Sequence, residues 1–200
     1  MKAKYITIER EYGSGGTKAA RLLAQRTGIP CYGQEILEGV SKKYDVSVDR
    51  IQAYEESATN SFLYSIYMMT RAAAGSSDML SPEGHIYVAE QEMIRRFAAE
   101  GSAIFLGHCA AEALRGQKGV VKVFIRCSSD DMKRQRIINE YGISAESADT
   151  VRKKFDKKRS NYYYANTTKK WEDLRNYDVV LDSAVLGIDG CADILEQLLK

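Results

Sequence analysis

The sequence predicts an α/β domain of three layers, with helices on both faces of a five-stranded parallel sheet. Three observations predict it. Short, almost wholly apolar runs recur along the chain, and stretches with helical spacing separate them. A glycine-rich turn joins the first run to the first helix, the arrangement seen where such sheets bind ligands. The 200 residues are 44% hydrophobic, enough for one sizeable core, and 29 basic against 27 acidic residues leave a net charge of only +2.

Composition excludes several classes. No apolar run reaches the ~18 residues of a membrane span, and Met1-Lys2-Ala3-Lys4 leads straight into a strand without the apolar stretch of a secretory signal, so a cytoplasmic protein is expected. Cys31, Cys109, Cys127 and Cys191 lie far apart with no C-x-x-C pair, and they read as reduced thiols rather than a disulfide frame or a zinc site.

The elements follow in order. Residues 5–8 form the first strand, and 17–27 a helix whose Leu22 and Leu23 face inward. Gly28-Ile29-Pro30 ends that helix. Residues 31–32 make a short second strand, 34–43 a helix, and 47–56 and 61–74 two more, the latter rich in aromatics. A loop is expected over 75–84, where Gly75, Ser76, Ser77, Asp78, Pro82 and Gly84 cluster, and a helix over 86–99. Strands follow at 103–106, 120–125 and 179–181, with helices over 130–140, from 144 to about 164, and over 188–199. Ser144 is the expected N-cap of the second of these.

The glycine-rich turn, Arg10 to Thr17, carries the chemistry. Gly13, Gly15 and Gly16 can take positive φ, so the amides around Ser14 can turn inward while the helix N-terminus adds partial positive charge. Such a loop cradles an anion; the bland alternative is a ligand-free turn. A full phosphate-binding loop reads G-x-x-x-x-G-K-[ST]. Set against that pattern, the first glycine falls on Arg10, the second on Gly15, the lysine on Gly16 and the hydroxyl on Thr17. Arg10 is a candidate phosphate contact in place of the lysine, and Lys18 stands close by, although its helical position directs it along the axis. Farther on, residues 152–159 concentrate six positive side chains around Asp156. That cluster is a solvated helix face or a dock for a polyanion.

Five segments together resemble the cytidylate kinase-like proteins, within the P-loop nucleoside monophosphate kinases: "ITIEREYGSGG" (6–16), "GIPCYGQEIL" (28–37), "AIFLGHCAAEAL" (103–114), "FDKKRSNYYYANT" (155–167) and "NYDVVLDSAVLGID" (176–189). The resemblance spans nearly the whole chain. It implies a P-loop NTPase-type fold in one kinase-like domain, 1–200, with a core at about 1–35, 100–130 and 176–200. A helical acceptor-binding insertion would occupy about 36–99, and a basic lid about 144–170.

The resemblance implies ATP-dependent phosphoryl transfer, with Mg²⁺, to a nucleoside monophosphate of the CMP type. Authentic cytidylate kinases carry arginine, aspartate and arginine in the lid at the spacing of Arg152, Asp156 and Arg159. By this likeness Asp156 holds the acceptor ribose and the arginines hold phosphate; by spacing alone the trio equally suits an intrahelical ion-pair ladder. Arg10, Arg152 and Arg159 are the candidate catalytic cations. Gly13, Ser14, Gly15, Gly16, Thr17, Lys18 and Arg136 are expected on the donor phosphates, with Thr17 also on Mg²⁺. Gln91, His108, Asp156, Lys158 and Tyr162 are expected on the acceptor.

Two departures accompany the likeness. His108 stands where an arginine is usual, and Gly33 where an aspartate is. His108 supplies less charge at neutral pH, and a lone histidine near a strand end is more often a satisfied polar residue than a catalyst. The alternative function is therefore a nucleotide-binding regulator with lost or altered catalysis. A basic RNA-binding module is disfavoured, since no aromatic RNA-reading motif accompanies the cluster. The apolar run 62–69 either lines a pocket or packs on a second copy, making a homodimer.

Overall fold

The computed structural model describes residues 2–49, 51 and 82–200. The element order is β1 (Tyr5–Arg10), α1 (Gly16–Thr27), β2 (Cys31–Tyr32), α2 (Gln34–Tyr44), α3 (Pro82–Glu100), β3 (Ala103–Leu106), α4 (Ala110–Ala113), β4 (Val120–Arg126), α5 (Asp130–Tyr141), α6 (Ala148–Thr167), β5 (Val179–Asp182) and α7 (Ser183–Leu198). The sheet is five-stranded and wholly parallel, in the order β2-β3-β1-β4-β5. The expected helix over 61–74 and the apolar run 62–69 lie outside the described residues, as do most of 47–56 and 75–84.

Alternation along the strands sorts side chains to two faces. Ile6, Ile8, Ile104, Leu106, Val123 and Ile125 pack against Ala19, Ala20 and Leu23 of α1 and Cys191 and Leu195 of α7. Tyr5, Ala103 and Phe105 turn the other way, onto Ile36, Leu37 and Val40 of α2 and Met93, Ile94 and Ala98 of α3. Both faces are covered, as continuous apolar strands require. Cys31 is partly buried, the other three cysteines are buried, and all four are free. Among the described residues no helix is long and apolar enough to cross a membrane.

Several boundaries differ from the sequence reading. The strand expected at 5–8 runs on to Arg10, because Glu9 and Arg10 continue the ladder with Phe124 and Ile125. The helix expected from 144 begins at Ala148; Ser144 instead caps a turn, its carbonyl accepting from the Ser147 amide (3.1 Å). Proline starts α3 at position 82, inside the expected loop, consistent with its fitness for a first helical turn. The final helix begins at Ser183, and Gly187 (φ 69°, ψ 178°) breaks it just before the expected start at 188. The short helix α4 had no sequence signal beyond its alanines.

The loop entering α5 is closed by Ser129, whose Oγ accepts from the Met132 amide (3.2 Å). Ser129→Ala should lower unfolding stability by about 1 kcal/mol, read from a urea midpoint with unchanged slope.

Candidate active site

The strand ends and α6 border a cavity of about 460 Å³ at the carboxyl edge of the sheet. Glu9 and Arg10 line it from β1, Thr17 and Arg21 from α1, and Gly33, Gln34 and Glu35 from the start of α2. Gly107, His108 and Cys109 close it beyond β3, and Phe155, Lys158, Arg159 and Tyr162 cover it from α6.

The phosphate-type loop is held from behind. The Ser14 amide donates to the Glu11 carbonyl (3.2 Å) and its Oγ accepts from the Gly16 amide (3.2 Å). Arg136 Nη1 donates to the carbonyls of Gly13 (3.2 Å) and Ser14 (3.0 Å), and Ser183 Oγ donates to the Ser14 carbonyl (2.6 Å). With the carbonyls drawn backward, the amides face the other way. Those of Gly13, Gly15 and Thr17 donate to no protein group among the described residues. Gly13 and Gly15 both sit at φ +77°, where a Cβ would also meet the Lys133 carbonyl at 2.9 Å and Ile188 at 3.0 Å respectively. Gly13, Ser14, Gly15 and Gly16, all expected on the donor phosphates, are buried and do not line the cavity; of residues 13–18 only Thr17 does.

Arg10 and Gly16 explain each other. A Cβ on Gly16 would lie 2.8 Å from Arg10 Cβ, and a Cβ on Gly107 would lie 2.7 Å from Arg10 Nη1. The arginine therefore threads between two glycines, and the loop position that usually carries lysine has no room for a side chain. Arg10 Nε is buried without a hydrogen-bond partner among the described residues. Burial, then the nearby Arg159 cation, lower its pKa to about 10, so it stays charged at neutral pH.

Arg159 fastens α6 to the end of β1. Its Nη1 donates to the Arg10 carbonyl (2.9 Å), and its guanidinium lies 5.5 Å from the centre of the Tyr12 ring. Tyr12 stacks on Phe155 at 4.6 Å and leans on Tyr141 at 5.1 Å. Burial is the largest influence on Arg159 and pulls its pKa down against the raising effect of Asp156.

Other expected site residues fall differently. Lys18 is turned away: its Nζ pairs with Glu140 (2.7 Å) and it does not line the cavity, because its place on α1 faces α5. Asp156 is corrected likewise, for its Oδ1 accepts from the Tyr12 amide (2.7 Å), which commits it to the loop rather than the cavity wall. Burial raises its pKa, and that amide bond opposes the rise. Arg152 reaches Asp130 (3.5 Å) and Asp149 (3.6 Å), anchoring α6 to α5 outside the cavity. Arg136 supports the loop from behind, as above. Gln91 Nε2 donates to the His108 carbonyl (3.0 Å), and Tyr162 donates to the fully buried Glu90, which also lies 3.6 Å from His108 Nδ1. These contacts fix the wall on which His108, at φ 54°, presents itself.

Glu9 and Trp171 escaped the sequence reading. Trp171 is 2% exposed, and its Nε1 donates to Glu9 Oε2 (3.2 Å). The available signal was the acid itself, closing an apolar strand at the ligand-binding edge.

Comparison with known proteins places the fold. The profile of the cytidylate kinase-like family matches residues 5–185. A crystal structure of an uncharacterised protein from Eubacterium ventriosum ATCC 27560 is similar at 25% identity and a TM-score of 0.71, covering 98% of this chain and 97% of that one. A shikimate kinase from Bacteroides thetaiotaomicron shares the fold at 13% identity and a TM-score of 0.53, covering 98% and 97%. No curated protein matches the chain.

Proposed function

As the chain belongs to the cytidylate kinase-like family, we propose that it is an ATP-dependent phosphotransferase whose acceptor is a nucleoside monophosphate of the CMP type. One observation carries the reading: Arg10 and Arg159 converge on a cavity that also reaches Thr17 at the loop's open side. Phosphoryl transfer asks the protein for alignment and positive charge rather than covalent chemistry. Arg10 takes over the charge that Gly16 cannot supply. Lys158 adds a second lid cation, and His108 and Tyr162 line the acceptor end.

Mg²⁺ accompanies ATP in this reading. Thr17 lines the cavity, and among the described residues no cluster of His, Cys, Asp and Glu is built to hold an ion alone. That donor set fits an ion held mainly by phosphate oxygens and water, where it would offset charge on the transferred group. Nucleotides are the proposed ligands, in a cytoplasmic protein without membrane or nucleic-acid partners. Pairing with a second copy through residues 62–69 rests on the sequence alone.

The second reading, a nucleotide-binding regulator, is favoured by Gly16 standing in the lysine position. One assay separates the two. Protein with ATP and Mg²⁺ should bind ATP by calorimetry and form ADP together with CDP when CMP is supplied. Binding without phosphorylated product would select the regulator, and the absence of binding would remove both.

A further inference from the structure

Glu9 is the only acid on the central strand β1, and the mechanism above does not use it. It lines the large cavity beside Arg10, and it also lines a second cavity of about 10 Å³, the size of a single water, bordered by Glu112, Lys122 and Tyr177. Its carboxylate is held in place. Trp171 Nε1 donates to Oε2 (3.2 Å), and the indole is itself wedged edge-on against Phe124 at 5.1 Å.

A phosphate acceptor arrives already ionised, so a fixed carboxylate beside it contributes repulsion and no proton transfer. An alcohol acceptor has a proton to lose as its oxygen bonds to phosphorus, and there a held carboxylate contributes directly. We propose that Glu9 gives this site a second acceptor chemistry, serving as general base for transfer of the γ-phosphoryl group of ATP to an alcohol hydroxyl of a nucleoside-sized molecule. The hydroxyl proton passes to the Glu9 carboxylate, the oxygen bonds to the γ-phosphorus, and the bond from that phosphorus to the β–γ bridging oxygen breaks to release ADP. The inference rests on phosphoryl transfer from ATP and not on the acceptor being a monophosphate.

The groups facing Glu9 are compatible with this role. Burial is the largest influence and raises its pKa, against the cations Arg10 on its own strand and Arg159 on α6, the Trp171 hydrogen bond and His108 beyond β3. Tyr163 of α6 and Tyr177 before β5 also face it, their hydroxyls kept protonated mainly by their own burial, and Cys109 beyond β3, Glu112 of α4 and Lys122 of β4 share the small cavity with it.

The test uses the full chain with ATP and Mg²⁺, supplied with cytidine, with CMP or with water alone as acceptor. The wild type should phosphorylate cytidine and slowly hydrolyse ATP, both rates falling as pH drops through the raised Glu9 pKa. Glu9→Gln keeps an oxygen for Trp171 and should retain the wild-type melting midpoint. It should lower both hydroxyl-acceptor rates, and the ratio of cytidine to CMP phosphorylation, by about 100-fold and abolish the acid limb. If Glu9→Gln does not fold, Glu9→Asp takes its place and should lower the same ratio while keeping the limb. Unchanged hydroxyl transfer in either variant, or CDP formed from CMP with no product from cytidine, would overturn the inference and leave the kinase reading standing. Failure of the wild type to bind ATP would remove both.

Discussion

Arg10→Met should lower phosphoryl transfer by about 10³-fold while ATP binding weakens far less. That is a loss of about 4 kcal/mol of transition-state stabilisation, appearing in kcat rather than KM if the guanidinium acts on charge that develops during transfer. Methionine keeps much of the aliphatic volume between Gly16 and Gly107, so the loop should retain its shape and the melting midpoint should stay close to wild type. Single-turnover kinetics with the variant and the wild type check both parts.

The same geometry constrains any attempt to restore the common loop. Gly16→Lys alone places a Cβ at 2.8 Å from Arg10 Cβ and should disrupt the loop rather than repair it. Arg10→Gly together with Gly16→Lys removes the collision and recreates G-x-x-x-x-G-K-T over residues 10–17. The double variant should recover part of the transfer lost in Arg10→Met. If Gly16→Lys alone is folded and fully active, the steric coupling of these two positions is wrong.

The fold was legible because its signals are local and redundant. Tyr5 to Ile8, Ala103 to Leu106 and Val120 to Ile125 are almost wholly apolar, broken only by Thr7 and Lys122, as strands of a sheet covered on both sides are. The loop was legible for the same reason, through glycines at fixed offsets between strand and helix. The missed parts depend on distance in sequence. Nothing near Glu9 announces that an indole 162 residues on will hold its carboxylate. Nothing in the spacing of Arg152, Asp156 and Arg159 reveals that Asp156 accepts an amide 144 residues earlier while Arg159 alone of the three faces the cavity. Helical periodicity put all three on one face, and tertiary packing divided that face between the loop, α5 and the cavity. Lys18, expected on the donor phosphates, is the converse case: its helical position directs it along the axis, and there it meets Glu140.

Arg159→Ala should abolish measurable transfer, a loss of about 10³-fold or more, because one side chain both supplies cavity charge and ties α6 to the end of β1. Its stability effect is the more informative part. The sequence reading of residues 152–159 as a solvated face predicts stability near wild type on truncation. In the structure its guanidinium donates to the Arg10 carbonyl, lies over Tyr12 and sits 3.9 Å from Asp156, so truncation should lower unfolding stability by about 1–2 kcal/mol. Arg159→Lys separates the two roles. Lysine keeps a positive charge but cannot lie flat on Tyr12 while donating to the Arg10 carbonyl. It should therefore recover more of the transfer rate than of the stability. Recovery of stability with no gain in rate would mean that Arg159 acts only by fastening the helix, and the charge on the transferred group would then fall to Arg10 and Lys158.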